Sequence, residues 1–140
     1  MTNTQIQQLD PQQAYQYLED NPDAVLLDVR STVEFTHVGH PPGAYHVPWA
    51  EGGAAWAPNP NFVGHVRARL SDLEGPPENR PILALCRSGG RSQAAAEALA
   101  KAGFKHLFNI CEGFEGDLDG DRHRNTVNGW RARGLPWEQT

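Results

Sequence analysis

The chain has 140 residues, with 12 Lys and Arg against 17 Asp and Glu and a formal net charge of −5 when histidine is neutral. That length suits one domain that buries roughly two thirds of its unfolded surface, so a single hydrophobic core can hold it without disulfides or a structural metal. The acidic balance disfavours nonspecific nucleic-acid binding, which draws on clustered Lys and Arg against phosphates. The longest apolar run, Ile82–Cys86, falls far short of the about 20 residues a membrane-spanning helix needs. Met1 to Ile6 carries neither the basic start nor the apolar stretch of a secretory signal, so a cytoplasmic location with no membrane or nucleic-acid partner is expected. Cys86 and Cys111 show no CxxC spacing, which argues against zinc and against a disulfide scaffold.

Along the chain, Asp10-Pro11 opens a helix: Asp10 can cap it, Pro11 suits its first position, and Gln13 completes a capping box. Ala14, Tyr15 and Leu18 share one face of that helix, and Asn21-Pro22-Asp23 ends it. Ala24 to Arg30 reads as a strand whose unbroken apolar run predicts burial on both sides, the pattern of a parallel sheet. Gly43 to Pro48 reads as a shorter strand and Trp49 to Pro60 as an inserted loop rich in Gly, Ala and Pro. Pro81 to Cys86 is another buried strand, Arg91 to Ala102 a helix stopped by Gly103, and His106 to Ile110 a further strand. Strands alternating with helices make an α/β domain whose ligands bind at the carboxyl ends of the strands, where Cys86 stands. Residues 114–140 read as a polar tail tied back onto the domain by Trp130 and Trp137.

The segment Cys86-Arg87-Ser88-Gly89-Gly90-Arg91-Ser92 lies between a buried strand and a strong helix, and it favours an anion. Gly89 and Gly90 allow successive amides to point inward, the helix start adds partial positive charge, and Arg87 and Arg91 add two full charges. A thiol in such a place is expected to ionise at neutral pH and to act as a nucleophile. Burial of Cys86 as a plain core residue accounts for neither the glycines nor the arginines. A dinucleotide-binding turn lacks its GxGxxG here.

This segment resembles the active-site loop of the rhodanese family, which begins with the catalytic cysteine and in many members ends with Arg and then Ser or Thr, as Arg91-Ser92 does. Leu27-Asp28-Val29-Arg30, Glu34-Phe35 and Gly39 to Pro48 resemble the family's upstream signature, and Gly129-Trp130 with Gly134-Leu135-Pro136-Trp137 resembles its ending. Pro41-Pro42 departs from the usual pattern after the Gly-His pair, which bears on loop shape and not on chemistry. The resemblance implies a three-layer α/β fold, a mostly parallel five-stranded sheet with helices on both faces, in one domain spanning residues 1–140. It further implies a thiosulfate sulfurtransferase that needs no cofactor. Cys86 takes the outer sulfur of thiosulfate or a related small anionic donor as a persulfide, then yields it to cyanide, a thiol or a carrier protein. In that reading the amides of Arg87 to Ser92 cradle the outer sulfur, and Arg87 and Arg91 orient the donor.

Two other readings stand beside it: a non-catalytic rhodanese-like module that grips a partner or senses oxidation, and an arsenate reductase or phosphatase on the same fold. Phosphatase loops place five residues between cysteine and arginine, whereas Cys86 and Arg91 enclose four. Asp28, Arg30 and Glu34 are expected to form a supporting ion-pair network, with one carboxylate meeting Arg91. Cys111 is weighed as a resolving thiol against an inert one. No metal site is expected: His37 and His40 lack further ligands, and the Asp117, Asp119 and Asp121 run lacks the glycine and glutamate of a calcium loop. Trp49 and Trp56 are candidates for the wall of the site mouth or for docking an acceptor.

Overall fold

The computed structural model describes residues 5–51 and 58–140. In chain order it runs β1 (Ile6–Leu9), α1 (Pro11–Asp20), β2 (Val25–Asp28), a π-helical turn (Glu34–Val38), β3 (Tyr45–His46), α2 (Phe62–Arg69), a 3-10 turn (Pro77–Asn79), β4 (Pro81–Leu85), α3 (Gly90–Lys101) and β5 (His106–Ile110). The five strands form one sheet in the order β1-β5-β4-β2-β3, with every neighbouring pair parallel. The expected α/β architecture is therefore present, and the sheet is wholly parallel.

Its two central strands, β2 and β4, are buried along their whole length. Because side chains alternate along a strand, Val25, Leu27 and Ile82 meet Phe62 and Val66 of α2 and Ala95 and Leu99 of α3 on one face. Leu26, Leu83 and Leu85 meet Ala14 of α1, Phe108, Ile110 and Trp130 on the other. Helices thus cover both faces, which is what the continuous apolar runs require. The Asp10 carboxylate accepts from the Gln13 amide at 2.8 Å and the Gln13 side chain accepts from the Asp10 amide at 2.9 Å, completing the capping box. Past α3, Gly103 takes a left-handed φ of +99°, as a helix stop should.

Three elements were not legible in the residue pattern. Ile6–Leu9 has two polar residues between its apolar ends and becomes a strand only because β5 offers it an open edge. Phe62–Arg69 holds Gly64 and two β-branched valines, a poor helix by propensity, and Phe62 and Val66 are buried against the core. The π turn at Glu34–Val38 has no pattern of its own. Trp130 is buried and its indole N–H donates to the Pro136 carbonyl at 2.7 Å. His40 and Glu138 exchange backbone hydrogen bonds at 2.8 and 2.9 Å, so the tail is tied back over the chain that follows the π turn.

At the end of β2, Asp28 and Arg30 are both fully buried. Arg30 donates to the two Asp28 oxygens at 2.9 and 2.6 Å and to the Gly39 carbonyl at 2.6 Å, and its guanidinium lies 4.4 Å from the Phe114 ring centroid. Its Nη1 is buried without a hydrogen-bond partner. Removing one member of such a pair strands the other charge in a dry interior, which costs about 3–5 kcal/mol. Urea unfolding should therefore show losses of that size for Asp28→Leu and for Arg30→Met, and a loss for the double variant well below their sum.

Candidate active site

β4 lies between β2 and β5, and the chain leaves its carboxyl end at Cys86. Three residues later Gly89 takes φ +110°, and α3 begins at Gly90. A side chain cannot replace Gly89, because a Cβ there would collide with the Cys111 carbonyl as well as carrying the left-handed strain. The result of this turn is that the Gly89 amide donates to Cys86 Sγ at 3.1 Å, while the Ser92 hydroxyl in the first turn of α3 lies 3.2 Å from the same sulfur. Among the described residues Gly89 supplies the one backbone amide bonded to Sγ. Gly90 is the first residue of α3 and has no positive φ, so one glycine makes the turn rather than two.

The loop is also gripped from behind. The Phe114 amide donates to the Cys86 carbonyl at 2.8 Å and the Glu115 amide to the Arg87 carbonyl at 3.0 Å. Cys86 itself is 1% exposed. Arg87 is exposed and borders an open cleft of about 1020 Å³, and its side chain has no ion pair or hydrogen bond among the described residues. Ser88 is half-buried. The same cleft is walled by Val33, Val38 and Trp49, with Arg91 and Arg124 also at its surface. Trp49 sits edge-on to Phe62 at 5.2 Å, whereas Trp56 lies outside the described residues.

Arg91 is engaged by Glu34, two nitrogens meeting two oxygens at 2.7 and 2.8 Å, and Glu34 accepts further bonds from the Ser31 amide and hydroxyl at 3.2 and 2.9 Å. Glu34 is thus the carboxylate that holds the loop. Asp28 and Arg30 pair with each other, and among the described residues the Arg30 side chain also bonds the Gly39 carbonyl rather than the Cys86 loop. Cys111 is exposed just beyond β5. Partial desolvation of the sulfur by its surroundings, with the neighbouring Glu112 and Asp10, pushes its thiol up, the reverse of what a resolving nucleophile needs. His40 is buried and stacked on Phe35 at 3.8 Å. Among the described residues no three His, Cys, Asp or Glu side chains converge on a metal position. Nor is any helix among them long and apolar enough to cross a membrane.

Residue pattern alone did not single out Asn109. It is 3% exposed, its carbonyl oxygen lies 2.5 Å from the Ser92 hydroxyl, and its amide nitrogen donates to Gly89 O at 3.2 Å and Gln8 Oε1 at 2.9 Å. The available signal was one amide inside the apolar strand His106-Leu107-Phe108-Asn109-Ile110. Such a residue needs partners that its own strand does not supply.

For Glu34, burial raises the carboxyl pKa, but the hydrogen bonds and charge of Arg91 with the Ser31 contacts outweigh it and hold the group at about 2. The folded value lies below the ordinary carboxylate value, so the pair stabilises the fold fully above about pH 4.5 and loses that contribution as pH falls toward 2. The stability gap between wild type and Glu34→Gln should be about 2 kcal/mol near neutrality and should close over that acidic window, as read by thermal unfolding at a series of pH values.

The Rhodanese-like domain family model matches residues 10–118. A Rickettsia conorii protein, RC0915, is 32% identical over 135 residues, spanning 95% of this chain and 98% of its own. The thiosulfate sulfurtransferase GlpE of Glaesserella parasuis is 30% identical over 109 residues, which is 78% of this chain and 83% of the relative. Among solved structures, Rv0390 from M. tuberculosis superposes with a TM-score of 0.81 at 41% identity, covering 99% of this chain and 100% of that one. A parallel five-stranded α/β sheet with a cysteine loop entering a helix at its carboxyl edge therefore has its relatives, and the chain belongs to the rhodanese family.

Proposed function

We propose that the chain is a sulfurtransferase that carries sulfane sulfur on Cys86, with thiosulfate or a similar small anion as donor. The observation that supports this most directly is the placement of Cys86 Sγ between the Gly89 amide and the Ser92 hydroxyl at 3.1 and 3.2 Å. The Gly89 amide is a fixed donor that stabilises negative charge on that sulfur, and the Ser92 hydroxyl stands close enough to supply a second hydrogen bond once the charge forms. In the first half-reaction the Cys86 thiolate attacks the outer sulfur of thiosulfate, the donor's S–S bond breaks, and sulfite leaves with the bonding pair. In the second, a nucleophilic acceptor attacks the outer sulfur of the persulfide and the Cys86 thiolate leaves. Cyanide becomes thiocyanate, and a thiol becomes a persulfide. The chemistry needs no redox cofactor because each step trades one S–S bond for another bond to sulfur.

Arg87 is the uncommitted cation of the loop, since Arg91 is engaged by Glu34. It is therefore the residue to attract a dianionic donor. The 1020 Å³ cleft beside it has the size of sites for far larger ligands than cyanide or thiosulfate, and its Trp49, Val33 and Val38 wall suits a thiol-bearing molecule or the end of a carrier protein as acceptor.

Incubation with thiosulfate should add one sulfur to the Cys86 peptide by mass spectrometry and release sulfite when cyanide is present. Cys86→Ser should do neither. Absence of the added sulfur from the wild-type chain with every small sulfane donor would leave the binding-module reading in its place. Arg87→Ala should raise KM for thiosulfate about tenfold, the loss of one charge-assisted contact, with a smaller change in kcat.

A further inference from the structure

A Ser92 hydroxyl has one proton, and three acceptors lie around it: Asn109 Oδ1 at 2.5 Å, Cys86 Sγ at 3.2 Å and the Gly89 carbonyl at 3.2 Å. Which acceptor receives that proton is decided by Asn109. The Asn109 amide nitrogen faces the Gly89 carbonyl at 3.2 Å and Gln8 Oε1 at 2.9 Å. A backbone carbonyl cannot donate, so the nitrogen must occupy that side and the oxygen must face Ser92. Gln8 is held in turn by its own amide, which donates to Gln93 Oε1 at 2.7 Å. An amide oxygen only accepts. The Ser92 hydroxyl therefore has a fixed, well-placed acceptor that competes with the Cys86 sulfur for its single proton.

We propose that Asn109 is a positioning residue that acts through Ser92, holding the Ser92 proton away from Cys86 while the sulfur is a thiol and releasing it when the sulfur becomes an anion. In the resting arrangement the Cys86 S–H donates to Ser92 Oγ and Ser92 donates to Asn109. When the sulfur carries charge it becomes the stronger acceptor, and Ser92 rotates its proton to it. Ionisation breaks the Cys86 S–H bond and gives its proton to solvent water, and the Ser92 rotation that follows changes no covalent bond. Asn109 thus acts as a brake on ionisation of the idle thiol, a regulation of the nucleophile that rests on the sulfurtransferase reading for its purpose but not for its measurement.

Among the described residues, other charged and titratable groups lie around this loop: Arg87 and Arg91 within it or at the start of α3, Asp28 with its partner Arg30 from the end of β2, Glu34 from the π turn, Glu51, Glu115 and Arg124 at the cleft, and Cys111 behind Gly89. None of these residues is replaced in the variants at 109 or 92; because Asn109 also bonds the Gly89 carbonyl, the comparison with and without Ser92 is what isolates the Ser92 proton.

The test is a titration of the thiolate by its ultraviolet absorbance across pH, on the full chain carrying Cys111→Ser so that Cys86 alone reports. Replacing Asn109 with Leu frees the Ser92 proton for the sulfur, and the midpoint should fall by about one pH unit relative to the Cys111→Ser parent, an anion stabilised about tenfold. With Ser92→Ala also present, Asn109→Leu should leave the midpoint where Ser92→Ala alone puts it. Gln8→Leu on the exposed edge strand β1 loosens the tether on Asn109 without touching the core, and should shift the midpoint the same way by a smaller amount. It carries the test if Asn109→Leu does not fold. A midpoint that rises or stays fixed in Asn109→Leu, or that falls equally with and without Ser92, overturns the proposal, as does an unmoved midpoint in Gln8→Leu where that variant alone can be measured. Sulfur loading from thiosulfate is measured separately, so failure to transfer sulfur counts against the proposed function and leaves the titration result standing.

Discussion

A single left-handed residue, Gly89, lets the chain pass from the end of β4 at Leu85 to the start of α3 at Gly90 while turning its amide onto the Cys86 sulfur. With any other residue there, the turn would have to widen against the Cys111 carbonyl, and the Gly89 amide would lose its aim at Cys86 Sγ. The sheet's order serves this turn. β4 is flanked by β2 and β5, so the segment after β5 lies directly behind the loop and can bond the Cys86 and Arg87 carbonyls. The loop is thus fixed by backbone contacts on its inner side, and its side chains are left to deal with charge.

The two buried or half-buried ion pairs divide that work. Asp28 and Arg30 are sealed in the interior with the Gly39 carbonyl and the Phe114 ring, and they join the end of β2 to the chain after the π turn and to the tail. Glu34 and Arg91 join the π turn to the first turn of α3. The π turn itself is held by His40, stacked on Phe35, and by the His40 and Glu138 backbone bonds. A continuous series of contacts therefore runs from the tail through the π turn to the loop. Since Arg91 is engaged by Glu34, the proposed function leaves the attraction of an anionic ligand to Arg87, which is exposed at the cleft rim.

Much of this was legible in the residues. The runs Val25-Leu26-Leu27 and Ile82-Leu83-Ala84-Leu85 announced buried parallel strands, because strands covered on both faces have no polar alternation to show. Cys86, the flanking glycine and the paired arginines announced the loop, since those residue types together serve an anion better than a core. What stayed hidden depended on tertiary context. β1 is a strand by virtue of an edge it adds to, and α2 is a helix by virtue of the surface it covers. The choice of Glu34 over Asp28 as partner of Arg91 turned on the path of the π turn, and no local pattern encodes that path. Asn109 was concealed for the opposite reason: its identity was plain, but its meaning lay in Ser92 and Gln8, residues 17 and 101 positions away.

The burial of Cys86 and the competition for the Ser92 proton bear on the same chemical problem. A persulfide-forming cysteine must be nucleophilic toward a donor and yet survive between turnovers, and an exposed thiolate is vulnerable to any oxidant. With 1% of the residue exposed, only a ligand that presents a slender terminal atom can reach Sγ, which suits the outer sulfur of a small anion better than a bulky electrophile. In the proposed reaction the added sulfur would extend beyond Sγ, so the acceptor would meet a less enclosed atom than the donor did. On the proposed function, steric enclosure and hydrogen-bond competition both restrain the bare thiol before loading: the competition is relieved when Sγ ionises to attack the donor, and the enclosure when the added sulfur extends beyond it.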